Sequence, residues 1–250
     1  MRKNIDEYWD TYKEIYGFEE VLRVYRERKA LEYLRNQGAR KILEIGCGFR
    51  PLFLNYEDYD SYTVVEPGAE AYKYILEVSE KKRGVRSIFG HLEDVMESLN
   101  DNDFDCIVLV GVLHEVKHPE KFLGLIHQIM RQESSAYINV PNARSVHREL
   151  GKSMGVIDSI YNKTQRNELL NQESIFDLDS LFECIQQSMP NIQIIDSGTF
   201  FIKPFTHDQM YEILKSEVIS QSTIEGLFQL SETLPGHGCE LFYVIKNKDV

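Results

Sequence analysis

Five short runs of β-branched and apolar residues recur along the first 140 positions, each separated from the next by a polar stretch long enough for a helix. They are Lys41-Ile-Leu-Glu-Ile45, Tyr62-Thr-Val-Val65, Val85 to Phe89, Cys106-Ile-Val-Leu-Val110 and Ala136-Tyr-Ile-Asn-Val140. Short strands alternating with helical connections build βαβ units, and βαβ units build a parallel sheet. The unbroken apolar character of Cys106 to Val110 fits a strand covered on both faces. Two later β-rich segments, Ile192 to Ile202 and Glu240 to Lys246, extend the sheet.

The rest of the chain is read around that sheet. Val21, Leu22, Val24, Tyr25, Leu31 and Leu34 recur at helical spacing and predict one or two helices ending at Gly38, an N-terminal helical cap over residues 1–38. Tyr8, Tyr12 and Tyr16 share one face of the first helix, either covering a ligand or packing on the core. After Pro141 a polar, glycine-containing connection runs over residues 142–177, of a length that is usually functional. Asp177-Leu-Asp-Ser180 caps a helix carrying Leu181, Phe182, Ile185 and Met189, which stops at Pro190. With 250 residues and 42% hydrophobic content, a single domain spanning 1–250 is expected.

Charge and cysteine usage narrow the function classes. Forty acidic against 28 basic residues give a net charge of -12, which argues against a protein that binds by neutralising a nucleic-acid backbone. The charged N-terminus lacks the apolar core of a signal peptide, and no apolar run approaches a membrane span, so a cytoplasmic location is expected. Cys47, Cys106, Cys184 and Cys239 are scattered without a C-x-x-C pair, and free thiols follow.

The first run passes directly into Glu44-Ile-Gly46-Cys-Gly48, where small residues let the chain turn sharply and let a ligand approach the main chain. About twenty residues on, the second run ends in Glu66, a carboxylate able to accept both hydroxyls of a ribose. The pair predicts adenosine-type recognition. A nicotinamide dinucleotide would favour a third glycine three positions beyond Gly48, where Pro51 stands.

The turn resembles the E/D-x-G-x-G-x-G motif of class I S-adenosylmethionine-dependent methyltransferases, matched here by Glu44, Gly46 and Gly48, with Arg50 in place of the third glycine. The resemblance continues through Glu66-Pro67, through Gly90-His-Leu-Glu-Asp94, and through Phe104 to Val116 followed by His118-Pro119. It implies a cofactor site built from Glu44, Gly46, Cys47, Gly48, Glu66, Pro67, His91, Leu92, Glu93, Gly111 and Val112. Leu92 would pack on the adenine, Glu93 or Asp94 would take its amine, and Gly111 and Val112 would border the methionine part. Leu113-His114-Glu115-Val116 departs from the Leu-Glu-His-Val order of many relatives.

A narrower likeness covers Gly46 to Phe53, Asn139-Val-Pro-Asn-Ala143 with Ser145, His147, Arg148 and Met154-Gly155, and Ser197 to Phe205. These segments are similar to bacterial small-molecule methyltransferases of surface-polysaccharide, or capsule, gene clusters. Together the runs and the resemblance predict an α/β, Rossmann-like doubly wound fold. Its seven-stranded, mostly parallel sheet would carry helices on both faces, an N-terminal helical cap and an insertion after strand five.

Ligands in such sheets bind beyond the carboxyl ends of the strands, so the acceptor is expected near the fifth strand. Asn142, Arg144, His147, Arg148 and Lys152 crowd together there, a local basic cluster on an acidic chain that suits a phosphate or carboxylate. A solvated polar loop is the plainer alternative. His147 is the first candidate for a general base or an acceptor-orienting group and His114 the second, while Lys203, His237 and Tyr12 are expected to enter the same pocket. The fourth run ends in Val110-Gly111-Val112 and offers no acid, so no catalytic metal is expected.

The expected function is O-methyl transfer from S-adenosyl-L-methionine to a small, phosphorylated or otherwise anionic acceptor, releasing S-adenosyl-L-homocysteine. A sugar, a nucleotide-sugar or a phosphoramidate-type precursor fits. The partners expected are that small molecule, with no nucleic acid and no membrane. Two alternatives remain open at the level of sequence. One is a nucleic-acid methyltransferase, disfavoured by charge and by Asn139-Val-Pro-Asn142 following the fifth run with no aromatic residue after it. The other is a non-catalytic S-adenosylmethionine-binding regulatory subunit.

Overall fold

The computed structural model describes residues 17–99, 103–170 and 172–248. Tyr8, Tyr12 and Tyr16 lie outside the described residues. The sheet is formed by β1 (Lys41–Ile45), β2 (Ser61–Glu66), β3 (Val85–Phe89), β4 (Cys106–Val110), β5 (Ser135–Pro141), β6 (Ile192–Phe200) and β7 (Glu240–Asn247). Its order is β3-β2-β1-β4-β5-β7-β6. Strands β1 to β5 pair in parallel, whereas β7 runs antiparallel between β5 and β6.

Alternation along the strands divides the core in two, because successive side chains leave opposite faces of a sheet. Ile42, Val64, Cys106 and Val108 join one cluster, and Leu43, Val65, Ile107 and Leu109 join the other. On the first face lies helix α1 (Glu19–Gln37), with Leu22, Tyr25, Leu31 and Leu34 buried; it ends where Gly38 takes a left-handed conformation. Val24 belongs to the solvent side of this helix and is exposed. The second face is covered by α4 (Pro119–Ile129), through Phe122, Leu123 and Ile126, and by α7 (Leu178–Ser188), through Leu181 and Ile185. Helices α2 (Ala69–Ser79) and α3 (Leu92–Val95) follow β2 and β3.

The connection after β5 is helical. It holds α5 (Val146–Ser153) and α6 (Gln165–Leu169), and an isolated bridge between Asn142 and Phe176 closes it at its base. Asp177 caps α7, accepting from the Ser180 backbone while also taking a bond from Arg144. Beyond β6 come α8 (His207–Lys215), capped by Thr206, and α9 (Gln221–Gln229), capped by Ser220. Among the described residues no helix is long and apolar enough to cross a membrane.

Candidate active site

Strand order reverses between β1 and β4, where the connections that follow them lead in opposite directions, to β2 on one side and β5 on the other. A cleft of about 1430 Å³ opens at this point. Ligand sites for one small molecule usually occupy roughly 300–1,000 Å³, so the cleft has room for two reactants side by side.

The end beneath β1 and β2 is built from glycine and carboxylate. Gly46 and Gly48 have φ of 70° and 58°, in the left-handed region. A Cβ on Gly46 would stand 2.7 Å from Cγ2 of Val112, so at this position only glycine keeps the turn against β4. Gly111, at the end of β4, is also left-handed at 71°.

Glu66 is 2% exposed, and its two oxygens accept from the backbone N–H groups of Gly48 (2.9 Å) and Gly68 (2.8 Å). Burial pushes its carboxyl up to about 7, against those two bonds. Glu44 accepts from Leu52 N–H (3.0 Å) and Tyr62 O–H (2.8 Å), and burial carries it up to about 8. Cys47, Pro67, His91, Leu92, Glu93, Gly111 and Val112 line this part of the cleft, so the structure brings together the whole set expected for an adenosyl cofactor. Arg50 lines it too, bonded to Glu20 at 3.1 Å.

The end beneath β5, β7 and the helical insertion is cationic. Arg148 is buried, and its guanidinium donates to the carbonyls of Ile160 (2.7 Å) and Asn162, tying α5 to the loop that follows it. His147 faces the cleft with its Nδ1 buried and unpartnered. Burial first, then Lys203, His207 and Arg148, hold this imidazole well below its ordinary value, so it is neutral. Lys203 is 1% exposed, and its ammonium donates to His207 Nδ1 at 2.8 Å. His207 Nε2 stands 3.1 Å from Glu19, which also pairs with Arg26 and, at 3.5 Å, with Arg166. His114 receives the Gln172 amide on Nε2 at 3.1 Å, joining the end of β4 to the insertion.

Three expected acceptor-site residues are not brought to the cleft. Arg144 turns outward to Asp177 at 2.8 Å because that carboxylate caps α7. Lys152 lies on the exposed side of α5, one position past the Gly151 that lines the cleft. His237 is exposed in the turn before β7 and contributes its backbone carbonyl to Val146 N–H. Asn142 does reach the cleft, but its amide is engaged by the carbonyls of Gly236 and Gly238 and by Arg144 N–H. Glu19, Arg26, Arg166, His207 and Glu240 line the cleft without having been expected from sequence. The only sequence signal for His207 was its position four residues after Lys203, just past the Thr206 cap.

A family model described as a methyltransferase domain matches residues 18–187, more than half of the chain. The chain belongs to this family of S-adenosylmethionine-dependent methyltransferases. Solved structures share the methyltransferase's fold at low sequence identity. One is the plantazolicin methyltransferase BamL, in complex with a triazolic desmethylPZN analog and SAH. It is 14% identical over 96% of this chain and 90% of that chain, with a TM-score of 0.62. An S-adenosylmethionine-dependent methyltransferase from Mesorhizobium loti is 13% identical over 89% and 98%, at 0.58. A chain from the Haloferax volcanii complex between the Trm112 methyltransferase activator and a methyltransferase is 9% identical over the full length of both, at 0.63. No curated protein matches the chain in a sequence comparison. Among the described residues, no group of three or more His, Cys, Asp or Glu side chains is placed to hold a metal ion.

Proposed function

We propose that the protein transfers a methyl group from S-adenosyl-L-methionine to an oxygen of a small anionic acceptor. The observation that carries this reading is the polarity of the cleft: a glycine turn braced by Glu66 at one end, and Arg148, Lys203 and His147 at the other. When bound, the cofactor supplies a methyl group already activated on a sulfonium, so the protein's task is chiefly alignment.

In this reading Glu66 accepts the ribose hydroxyls while its backbone bonds hold the turn in place. Leu92 packs on the adenine, Glu93 takes the exocyclic amine, and Gly111 and Val112 leave space for the methionine part. Arg148 takes the place that the outward-facing Arg144 and Lys152 do not fill, and attracts a phosphate or carboxylate, with the Lys203 amine beside it. His147 lines this end of the cleft and orients the acceptor. His114 fixes the insertion over the cleft through Gln172.

A phosphorylated sugar or nucleotide-sugar handled in the cytoplasm fits this chemistry, and the likeness to capsule-cluster methyltransferases supports that choice. A screen of sugar phosphates, nucleotide-sugars and uncharged sugars for S-adenosylhomocysteine release tests it. Turnover confined to phosphorylated members is expected; turnover on uncharged sugars alone, or on a nucleic acid, would overturn the acceptor assignment.

A further inference from the structure

Three elements converge on one buried amine. Strand β6 ends at Phe200, and the next residue, Phe201, takes φ of 63°, a left-handed conformation that a bulky residue rarely adopts. Tight packing holds it there. The Phe201 ring lies 5.9 Å from Phe18 and 4.9 Å from Tyr25, and its carbonyl accepts from Cys239 N–H at 2.8 Å. This reversal turns the chain out of the sheet and lets Lys203, two residues on, reach the floor of the cleft. A backbone strained at one residue and anchored by α1 and β7 is a costly way to place an ordinary strand-end charge.

We propose that Lys203 is the general base of the methyl transfer, with His207 and Glu19 as positioning residues that hold its amine toward the acceptor. The inference rests on the methyltransferase reading above and on an acceptor that enters as a neutral hydroxyl. The order of contacts sets the tautomer. His207 carries its hydrogen on Nε2 and donates it to Glu19, which leaves the Nδ1 lone pair to accept from Lys203 Nζ.

The step balances. As the acceptor oxygen bonds to the methyl carbon, the carbon–sulfur bond breaks with its electron pair left on sulfur. The hydroxyl proton passes to the neutral Lys203 amine, which becomes an ammonium. That ammonium keeps its bond to His207, whose imidazole is held in place by Glu19. The proton leaves to water on product release.

The surroundings suit an amine that changes charge near neutrality. Burial lowers Lys203 to about 8; Arg166 on α6 and Arg148 on α5 act in the same direction, and Glu240, the first residue of β7, opposes them. His147 and His207 face it as neutral imidazoles, and burial pushes the Cys239 thiol up to about 12. At pH 7.5 roughly a quarter of such an amine is unprotonated, against roughly a thousandth for an ordinary lysine. His147, held well below its ordinary value, is the weaker base of the two.

The test uses the full chain with its lysines labelled at Cε and S-adenosylhomocysteine bound. The Lys203 resonance is assigned by its loss in whichever of K203R and K203M retains the native near-ultraviolet circular dichroism. A titration midpoint near 8 is expected, moving down by half a unit or more in E19Q and H207F, both of which keep the lysine. The rising limb of kcat against pH, measured on a sugar phosphate that releases S-adenosylhomocysteine, should move with it. A midpoint above 10 with S-adenosylhomocysteine still bound overturns the base and leaves the methyltransferase reading standing. A kcat limb that stays put while the amine shifts overturns it too. Failure of the wild-type chain to bind S-adenosylhomocysteine overturns the reading on which the base rests.

Discussion

Cofactor affinity should depend on pH through Glu66. Its carboxyl is raised from the ordinary 4.5 to about 7, chiefly by burial. Ribose hydroxyls donate to a carboxylate and favour its ionised form, so binding releases the proton that the free site holds. At pH 6 only about one site in eleven is ionised beforehand, and at pH 8 about ten in eleven. S-adenosylhomocysteine should therefore bind about tenfold more weakly at pH 6 than at pH 8 through this group, a difference of about 1.4 kcal/mol.

The sign for stability is opposite in the free protein. A carboxyl raised on folding favours the native state below about 4.5, and that contribution, about 3 kcal/mol for a shift of this size, is lost as pH rises to 7. Calorimetric titration at pH 6, 7 and 8, in buffers of different ionisation enthalpy, reads both the affinity and the protons released. E66Q should lose the tenfold component, leaving whatever slope belongs to Glu44. A wild-type affinity that is flat across this range, or an E66Q slope identical to wild type, would refute the assignment of Glu66 to the ribose.

Other perturbations separate the two ends of the cleft. H147A should lower kcat by tenfold or more with S-adenosylhomocysteine affinity within about twofold of wild type; steady-state kinetics and calorimetry on one preparation decide this, and an undiminished kcat removes His147 from the acceptor site. R148A strips two carbonyls of a buried donor and should cost about 2–4 kcal/mol in urea unfolding, with a higher KM for a sugar phosphate, whereas K152A should change neither. Equal effects of the two would contradict the placement of α5. G46A adds a Cβ 2.7 Å from Val112 at a left-handed residue. It should cost at least about 1–2 kcal/mol and abolish S-adenosylhomocysteine binding, and retained affinity would show that the turn tolerates movement.

Much of the fold was legible because it rests on local pattern. The runs that became β1 to β5, the Gly38 stop, the Asp177 cap and the glycine turn each carry their information in a few adjacent residues. The glycine-and-carboxylate end of the cleft was legible for the same reason: its residues lie within a few positions of strand ends in a parallel sheet.

The opposite end of the cleft was only partly legible because its geometry is set by distant contacts. Arg144 and Lys152 share a segment with His147 and Arg148, yet a helix beginning at Val146 and the pull of Asp177 turn them away from the cleft. Conversely, Glu19 and His207 are 188 positions apart, and only the meeting of the N-terminal ends of α1 and α8 brings them within a hydrogen bond. No spacing rule in the sequence links them. The polar connection after β5 also concealed two short helices, since neither α5 nor α6 has a long apolar face to announce it.

The central claim is tested most directly by following the methyl group itself. The purified chain, incubated with methyl-labelled S-adenosylmethionine and a mixture of sugar phosphates, nucleotide-sugars, uncharged sugars and nucleic acid, should place label on an oxygen of a phosphorylated small molecule. One equivalent of S-adenosylhomocysteine should accompany each methyl transferred. Label on nucleic acid or on uncharged sugars only, or tight cofactor binding with no label on any member, would contradict the account.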